Sequence, residues 1–247
     1  MNIQVSIVIA VYNSHKVVAR QVRHFKRMPL PKDVELILVD DGSSPIHNPL
    51  PGNINLRTFY TFDKRPWTQG LARNMGAKHA LGTYLFFTDI DHILTKDAID
   101  AARSFYGDKM VFRRYFGLLD RNGKIVDSAK QLLDFGLSPA RFRRRGFSGG
   151  VHGNTYVIRK ALFEKMGGYN PKHCESGFHV GGSYMSEERD FNRRFYRLNT
   201  TGEAEEEVMG PNIYVFPTSK FHRTGDNNPG GLFHNLRLEQ VPQPPKE

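Results

Sequence analysis

The chain has one cysteine, Cys174, and one tryptophan in 247 residues. A single thiol cannot close an intrachain disulfide, which excludes the disulfide-stapled classes and fits a reducing compartment. No apolar run approaches the ~20 residues that a membrane span requires; the longest, near residues 7–12, is strand-sized. Residues 1–5 lack the basic start and long apolar stretch of a signal peptide. Together these absences predict a soluble, cytoplasmic protein. Acidic residues are the minority, 25 against 35 lysines and arginines, for a formal charge of +10. The partners this favours are anionic: nucleoside diphosphates, nucleic acid, or an anionic membrane surface touched peripherally. The ten histidines show no HExxH-type spacing. Internal repeats and a linker are also missing, so a single composite domain over 1–247 is expected.

What is present is an alternation of buried strands and amphipathic helices. Residues 3–11 (IQVSIVIAV) and 34–39 (VELILV) are β-branched and apolar with little alternation, as strands buried on both faces of a parallel sheet are. Val18, Val22 and Phe25 fall on one helical face behind a cap at Asn13 or Ser14, and Pro29 stops that helix. A third strand is expected at 56–62. A helix follows at 69–81, ended by Gly82 in the left-handed cap position, and a fourth strand at 84–87. Thr95 caps a helix running to about Phe105. This order predicts a doubly wound α/β sheet, Rossmann-like and mostly parallel, with helices on both faces. The second half changes character. Residues 109–115 and 118–125 read as antiparallel strands around an Asn122-Gly123 turn, 155–158 as a short strand, 160–166 as a helix closed by Gly167, and 187–198 as a helix. Beyond Gly210 the pattern reads as mostly loop.

In doubly wound sheets ligands bind beyond the carboxyl ends of the strands. Two acidic clusters stand at such ends. Asp89-Ile90-Asp91 follows the YLFF strand, and two carboxylates at i and i+2 in a turn suit one hard divalent ion, Mn²⁺ or Mg²⁺, bridging to a diphosphate. As turn residues alone the pair would be unremarkable; its place at the strand end singles it out. Asp40-Asp41 ends the second strand, and two readings stand level: acceptance of hydrogen bonds from a nucleobase or ribose, or an Asx turn with Gly42 and Ser43. Arg73, near the start of the 69–81 helix, either reaches phosphate or is a solvated helix arginine, and on sequence alone the second reading is favoured. Glu187-Glu188 opens the later helix, as dipole-stabilising residues or as a general base, with Asp190 nearby. His222 is a possible third metal ligand. The basic run at 141–145 and Arg189, Arg193, Arg194 and Arg197, interleaved with aromatics, suit either a nucleic-acid strand or a solvated face over an anionic ligand; the solvated face is favoured.

Taken in order, these segments resemble family 2 glycosyltransferases. Val5-Ser6-Ile7-Val8-Ile9-Ala10-Val11-Tyr12-Asn13 resembles their opening strand, Leu38-Val39-Asp40-Asp41-Gly42-Ser43 their nucleoside-binding turn, and Gly70-Leu71-Ala72-Arg73-Asn74-Met75-Gly76 their donor-site helix. Phe87-Thr88-Asp89-Ile90-Asp91 resembles the D-x-D metal site. Glu187-Glu188-Arg189-Asp190 stands where the family has a Glu-Asp pair. The segment from Phe221-His222-Arg223 to Asn228 is similar to the metal-histidine segment of β-galactosyltransferase-like enzymes. The resemblance implies a GT-A fold with a smaller antiparallel acceptor-side part. It divides the chain into a nucleotide-sugar-binding half at about 1–105, an acceptor-binding half at 106–228 and a tail. It further implies inverting transfer from a nucleoside-diphosphate sugar, probable donor class UDP-sugar, to a carbohydrate or glycoconjugate acceptor. Under it Ala10, Tyr12, Asp40, Asp41, Arg73 and Asp89 line the donor site, Asp89, Asp91 and His222 hold the metal, and Glu188, with Glu187 beside it, supplies the base. Other readings are transfer to a hydroxylated nucleic-acid base, a nucleotide-sugar binding module without catalysis, and a nucleotidyltransferase.

Overall fold

The computed structural model describes residues 2–46, 55–65, 68–119, 124–128, 130–131, 148–173 and 187–215. The chain runs β1 (Val5–Val11), α1 (His15–Arg27), β2 (Val34–Asp40), β3 (Leu56–Tyr60), α2 (Gln69–His79), β4 (Tyr84–Thr88), β5 (His92–Ile93) and α3 (Lys96–Arg103). It continues through β6 (Lys109–Phe116), β7 (Leu118–Leu119), β8 (Ile125–Val126), β9 (Ser148–Arg159), α4 (Lys160–Lys165), α5 (Glu187–Thr200), β10 (Val208–Met209) and β11 (Ile213–Val215). Nine strands form one sheet in the order β3-β2-β1-β4-β9-β6-β11-β5, with β10 pairing β6. The β3-β2-β1-β4 half is parallel throughout. β9 enters antiparallel between β4 and β6.

Every residue of β1 and β2 is buried, as their unbroken apolar runs predict. Alternate side chains feed two cores. Ile7, Ile9 and Val11 pack with Val18, Val22 and Phe25 of α1 and with Ala98, Ile99 and Ala102 of α3. On the other face Val8, Ile37 and Val39 meet Ala72 and Ala77 of α2, Leu162 and Phe163 of α4, and Phe191 and Phe195 of α5. Helices on both faces are therefore built from the period-two pleat of the strands.

Four local expectations need correction. Gly82 is absent from the residues with positive φ. Its role is close approach: a Cβ there would lie 2.6 Å from the Ser6 backbone nitrogen and 2.8 Å from the Val5 carbonyl carbon. α2 instead ends in an extended Ala80. The antiparallel partner of 109–116 is β9; residues 118–119 and 125–126 pair with each other, in a separate two-stranded sheet among the described residues. The strand expected at 155–158 is the end of a twelve-residue β9. Past Gly210, the three residues Ile213–Val215 form a sheet strand between β6 and β5 rather than loop, and residues 216–247 lie outside the described ones. Gly167 closes α4 as expected, at φ +73°.

Because two of the three atoms opposing a Cβ at Gly82 are backbone, Gly82→Ala is expected to destabilise the fold by about 1–3 kcal/mol. Urea denaturation measures this; a change within about 0.5 kcal/mol would mean that β1 and the turn before β4 separate without cost.

Candidate active site

The carboxyl ends of β2, β1 and β4 lie side by side, and this edge gathers the acidic clusters. Asp40 and Asp41 separate in role. The Asp40 carboxylate accepts from the Ser43 backbone N–H at 2.8 Å, closing the Asx turn that half of the sequence reading predicted. Asp41 is left for other partners: Thr68 donates its hydroxyl to both carboxylate oxygens, at 2.8 and 2.9 Å, and Thr61 to one at 3.1 Å. Thr68 is the N-cap of α2 but spends its side chain on Asp41 rather than on the helix. Asn13, in the left-handed region at φ +46°, ties the end of β1 to the same turn. It accepts from the Ser44 N–H at 2.8 Å and donates its own N–H to the Ser43 hydroxyl at 3.0 Å. Ala10 is buried and Tyr12 half-buried beside these loops.

Arg73 departs from its favoured sequence reading. It is fully buried. Its guanidinium donates to Asp89 Oδ1 at 2.7 Å and to Asn154 Oδ1 at 2.6 Å, and stands 5.5 Å from the Tyr169 ring centroid. Burial opposes its charge, but Tyr169, Asp89, Glu187 and Glu188 outweigh that and hold its proton more tightly than usual. Two glycines, Gly76 in α2 and Gly168 after α4, explain how the arginine gets there. A Cβ at Gly76 would meet Val8 at 2.4 Å, so its absence lets the helix lie close on β1. Asn74 then clamps the turn after α4 through both backbone groups of Tyr169, at 2.8 and 2.9 Å. That turn needs Gly168 at φ +64°, where any side chain would strike Asn74. Tyr169 is fixed in turn by Tyr156, hydroxyl to hydroxyl at 2.7 Å.

The carboxylates of α5 meet this arginine network. Glu187 is buried, and its Oε2 accepts the Gly70 N–H at 3.0 Å, at the N-terminus of α2. Burial pushes its carboxyl up to about 7, partly opposed by the Arg73 charge. Glu188 is half-buried and takes a short hydrogen bond from the Asn154 amide. Asp190 is held by Arg194 at 2.8 Å, whose other nitrogens bind the carbonyls of Met166 and Gly168; it docks α5 on the Gly-Gly turn. One chain of contacts therefore runs from Asp89 through Arg73 and Asn154 to Glu188.

Glu187 yields a pH prediction. A carboxyl whose folded pKa lies above its unfolded value binds its proton more tightly in the native state. Its stabilising contribution is complete below about pH 4.5 and is lost as pH rises through about 7. Glu187→Gln mimics the protonated acid and removes this slope, so its stability relative to wild type should rise by roughly 1–3 kcal/mol between pH 5 and 7.5. Parallel curves for the two proteins in urea denaturation at both pH values would contradict it.

After β4, Asp89 is half of a turn that α1 supports from below: Gln21 donates to the carbonyls of Ile90, at 2.8 Å, and His92. Asp89, His92 and His152 each offer a ligand atom, all within 4.8 Å of one another. The D-x-D pattern identified Asp89 but neither histidine. Asp91 is buried in the same turn and stands outside this group. His222 lies outside the described residues, as do Cys174 and the basic run at 141–145. Gln21 also escapes sequence reasoning, and Asn154 and Tyr169, inside a segment from Gly149 to Tyr169 that resembles the family's acceptor-side strand and helix, have no role singled out by it. Asn74 and Arg73 sit inside the helix motif but carry no spacing signal of their own.

Two relatives and one solved structure are similar to this chain. An uncharacterized glycosyltransferase of Rickettsia felis is 27% identical over 131 residues, which is 51% of this chain and 21% of that protein. One from Haemophilus influenzae is 30% identical over 108 residues, 41% of each. The matched stretches are thus about a fifth and two fifths of these relatives' lengths. S. aureus TarS, residues 1–349 in complex with UDP-GlcNAc, superposes with a TM-score of 0.54 at 16% identity, covering 91% of this chain and 61% of that one. That likeness shows the GT-A fold. Residues 6–164, more than half of the chain, match the model of Glycosyl transferase family 2, and the chain belongs to that family.

Proposed function

We propose that this protein transfers a sugar from a nucleoside-diphosphate sugar to a hydroxyl of a carbohydrate or glycoconjugate acceptor, with inversion at the anomeric carbon. The observation that carries the reading is the contact chain Asp89–Arg73–Asn154–Glu188, which joins the donor edge of a family 2 sheet to a half-buried carboxylate. Asp41, fixed by Thr61 and Thr68, would receive the nucleoside, with Ala10 and Tyr12 lining it. TarS, the fold neighbour, binds UDP-GlcNAc, which supports a UDP-sugar donor.

Glu188 is the better placed base. It is half-buried, where an acceptor hydroxyl can reach it, whereas Glu187 is closed in and committed to Gly70. As the acceptor oxygen attacks the anomeric carbon, its proton passes to Glu188. The bond from that carbon to the diphosphate breaks, and its electron pair leaves with the nucleoside diphosphate. A divalent cation, Mn²⁺ or Mg²⁺, held at Asp89 would neutralise charge on the leaving group. The donor set fits: a buried carboxylate and two imidazoles converge within 4.8 Å.

Incubation with UDP- and GDP-sugars plus manganese tests this. Release of a nucleoside diphosphate, slow even without acceptor, is the expected result. Release of pyrophosphate would indicate nucleotidyl transfer instead. Donor binding without any turnover would leave a binding module.

A further inference from the structure

We propose that His92 and His152 are inner ligands of the cation together with Asp89, making a two-imidazole, one-carboxylate site that takes a first-row transition ion in preference to magnesium. It rests on the proposed donor reading only for the diphosphate that the ion would face; ion binding by the protein alone stands apart from it.

The two histidines are 60 positions apart and meet because β9 runs antiparallel beside β4. The pairing ends at Phe87 with Tyr156, and the next hydroxyls, Thr88 and Thr155, stand 3.4 Å apart. Past that point β9 continues over the turn that follows β4 and carries His152 to it. The His152 Nδ1 lies 3.8 Å from Asp89 Oδ2. The rings of His92 and His152 stand edge to face, centroids 5.2 Å apart at 84°, so neither stacks over the other.

The ligand-bearing atoms lie within 4.8 Å of one another. Two ligands on opposite sides of an ion, each at roughly 2.0–2.2 Å, are themselves about 4 Å apart. Little movement is needed to close the trio on one ion. Supports that orient metal ligands are present as well. The His92 Nδ1 meets the Thr155 hydroxyl at 2.6 Å, which fixes the orientation of the ring. Asp89 Oδ1 is held by Arg73 and by Gln69, at 2.7 and 3.1 Å, which turns Oδ2 toward the imidazole. Gln21 fixes the turn backbone at Ile90 and His92. Asp89 and His92 are buried and His152 is 21% exposed, so the trio has a buried floor and one side open to solvent.

Ligand chemistry then selects the ion. Magnesium keeps oxygen ligands and several waters, whereas imidazole suits iron, nickel, copper and zinc; Mn²⁺, the weakest binder of the first-row series, is the most demanding probe of such a site. The competing bland arrangement is an Asp89–His152 ion pair beside a His92–Thr155 hydrogen bond, with no affinity for metal.

The test is a Mn²⁺ titration of the full chain without an affinity tag, followed by electron paramagnetic resonance and by the nitrogen modulation of the electron spin echo. Expected are bound Mn²⁺ with imidazole nitrogen modulation, affinity weakened at least about tenfold in His152→Ala, and loss of modulation in the His92→Asn/His152→Ala double variant. A tenfold excess of Mg²⁺ should not displace the ion. His152 is partly exposed, so its single variant keeps the test valid should the double one misfold. Bound Mn²⁺ without nitrogen modulation, modulation that survives in a folded double variant, or no binding at millimolar Mn²⁺ would each overturn the proposal. If UDP still binds in a cation-dependent way in the first two cases, only this inference fails. If Mn²⁺ binds with modulation and no nucleoside diphosphate binds, the donor reading fails and this one stands.

Discussion

Replacing Arg73 by methionine is expected to cost about 3–5 kcal/mol of stability in the absence of metal, the scale found when one partner of a buried ion pair is removed. The guanidinium is fully buried and satisfies Asp89, itself 4% exposed. Without it three carboxylates, Asp89, Glu187 and Glu188, lose the cation they share, and Asn154 loses the donor on its carbonyl. Methionine matches the arginine stem and keeps part of the packing, so the loss reports mainly on charge and hydrogen bonds. Arg73→Lys should recover only part, since a point charge cannot serve Asp89 and Asn154 with a planar fork. Urea denaturation of the three proteins gives the values. A solvated arginine, the reading favoured by sequence alone, would cost under about 0.5 kcal/mol, and that result would remove Arg73 from the account.

Glu188→Gln is expected to lower turnover by roughly 10²–10⁴, the range for a lost general base, with donor binding changed by less than about twofold. Glutamine keeps the shape and can still accept from Asn154, so stability should stay within about 0.5 kcal/mol. Initial rates of nucleoside-diphosphate release and a donor titration separate the two effects. Turnover that is unchanged would move the base to Glu187 or Asp190. Each is badly placed for it, the first by burial and its bond to Gly70, the second by its pairing with Arg194.

The first half of the chain was legible because its signals are local. β1 and β2 are runs of β-branched residues buried on both faces, and each acidic cluster directly follows a strand, so the strand order places Asp41 and Asp89 without further information. The second half was less so. The first part of β9, Ser-Gly-Gly-Val-His-Gly-Asn, has weak strand propensity; pairing with β6 makes it a strand. β11 is three residues long and owes its state to β6 and β5. Gly82 shows the limit of turn chemistry: the residue type marks a special position, but whether it serves positive φ or close approach depends on β1, far away in the chain. The same holds for the site. Arg73 meets partners 16 and 81 positions away, and His92 meets His152 only through the pairing of β4 with β9. No spacing rule carries such contacts.

The central claim is that the carboxyl edge between β2 and β4 binds a nucleoside diphosphate with a divalent cation. Calorimetric titration of UDP and of GDP into the protein, with and without manganese, tests it most directly. The account predicts saturable binding of at least one of them that needs the ion and is lost in Asp41→Ala and Asp89→Ala. No heat from either nucleotide at millimolar concentration with manganese present, or equal binding by Asp41→Ala and wild type, would contradict it.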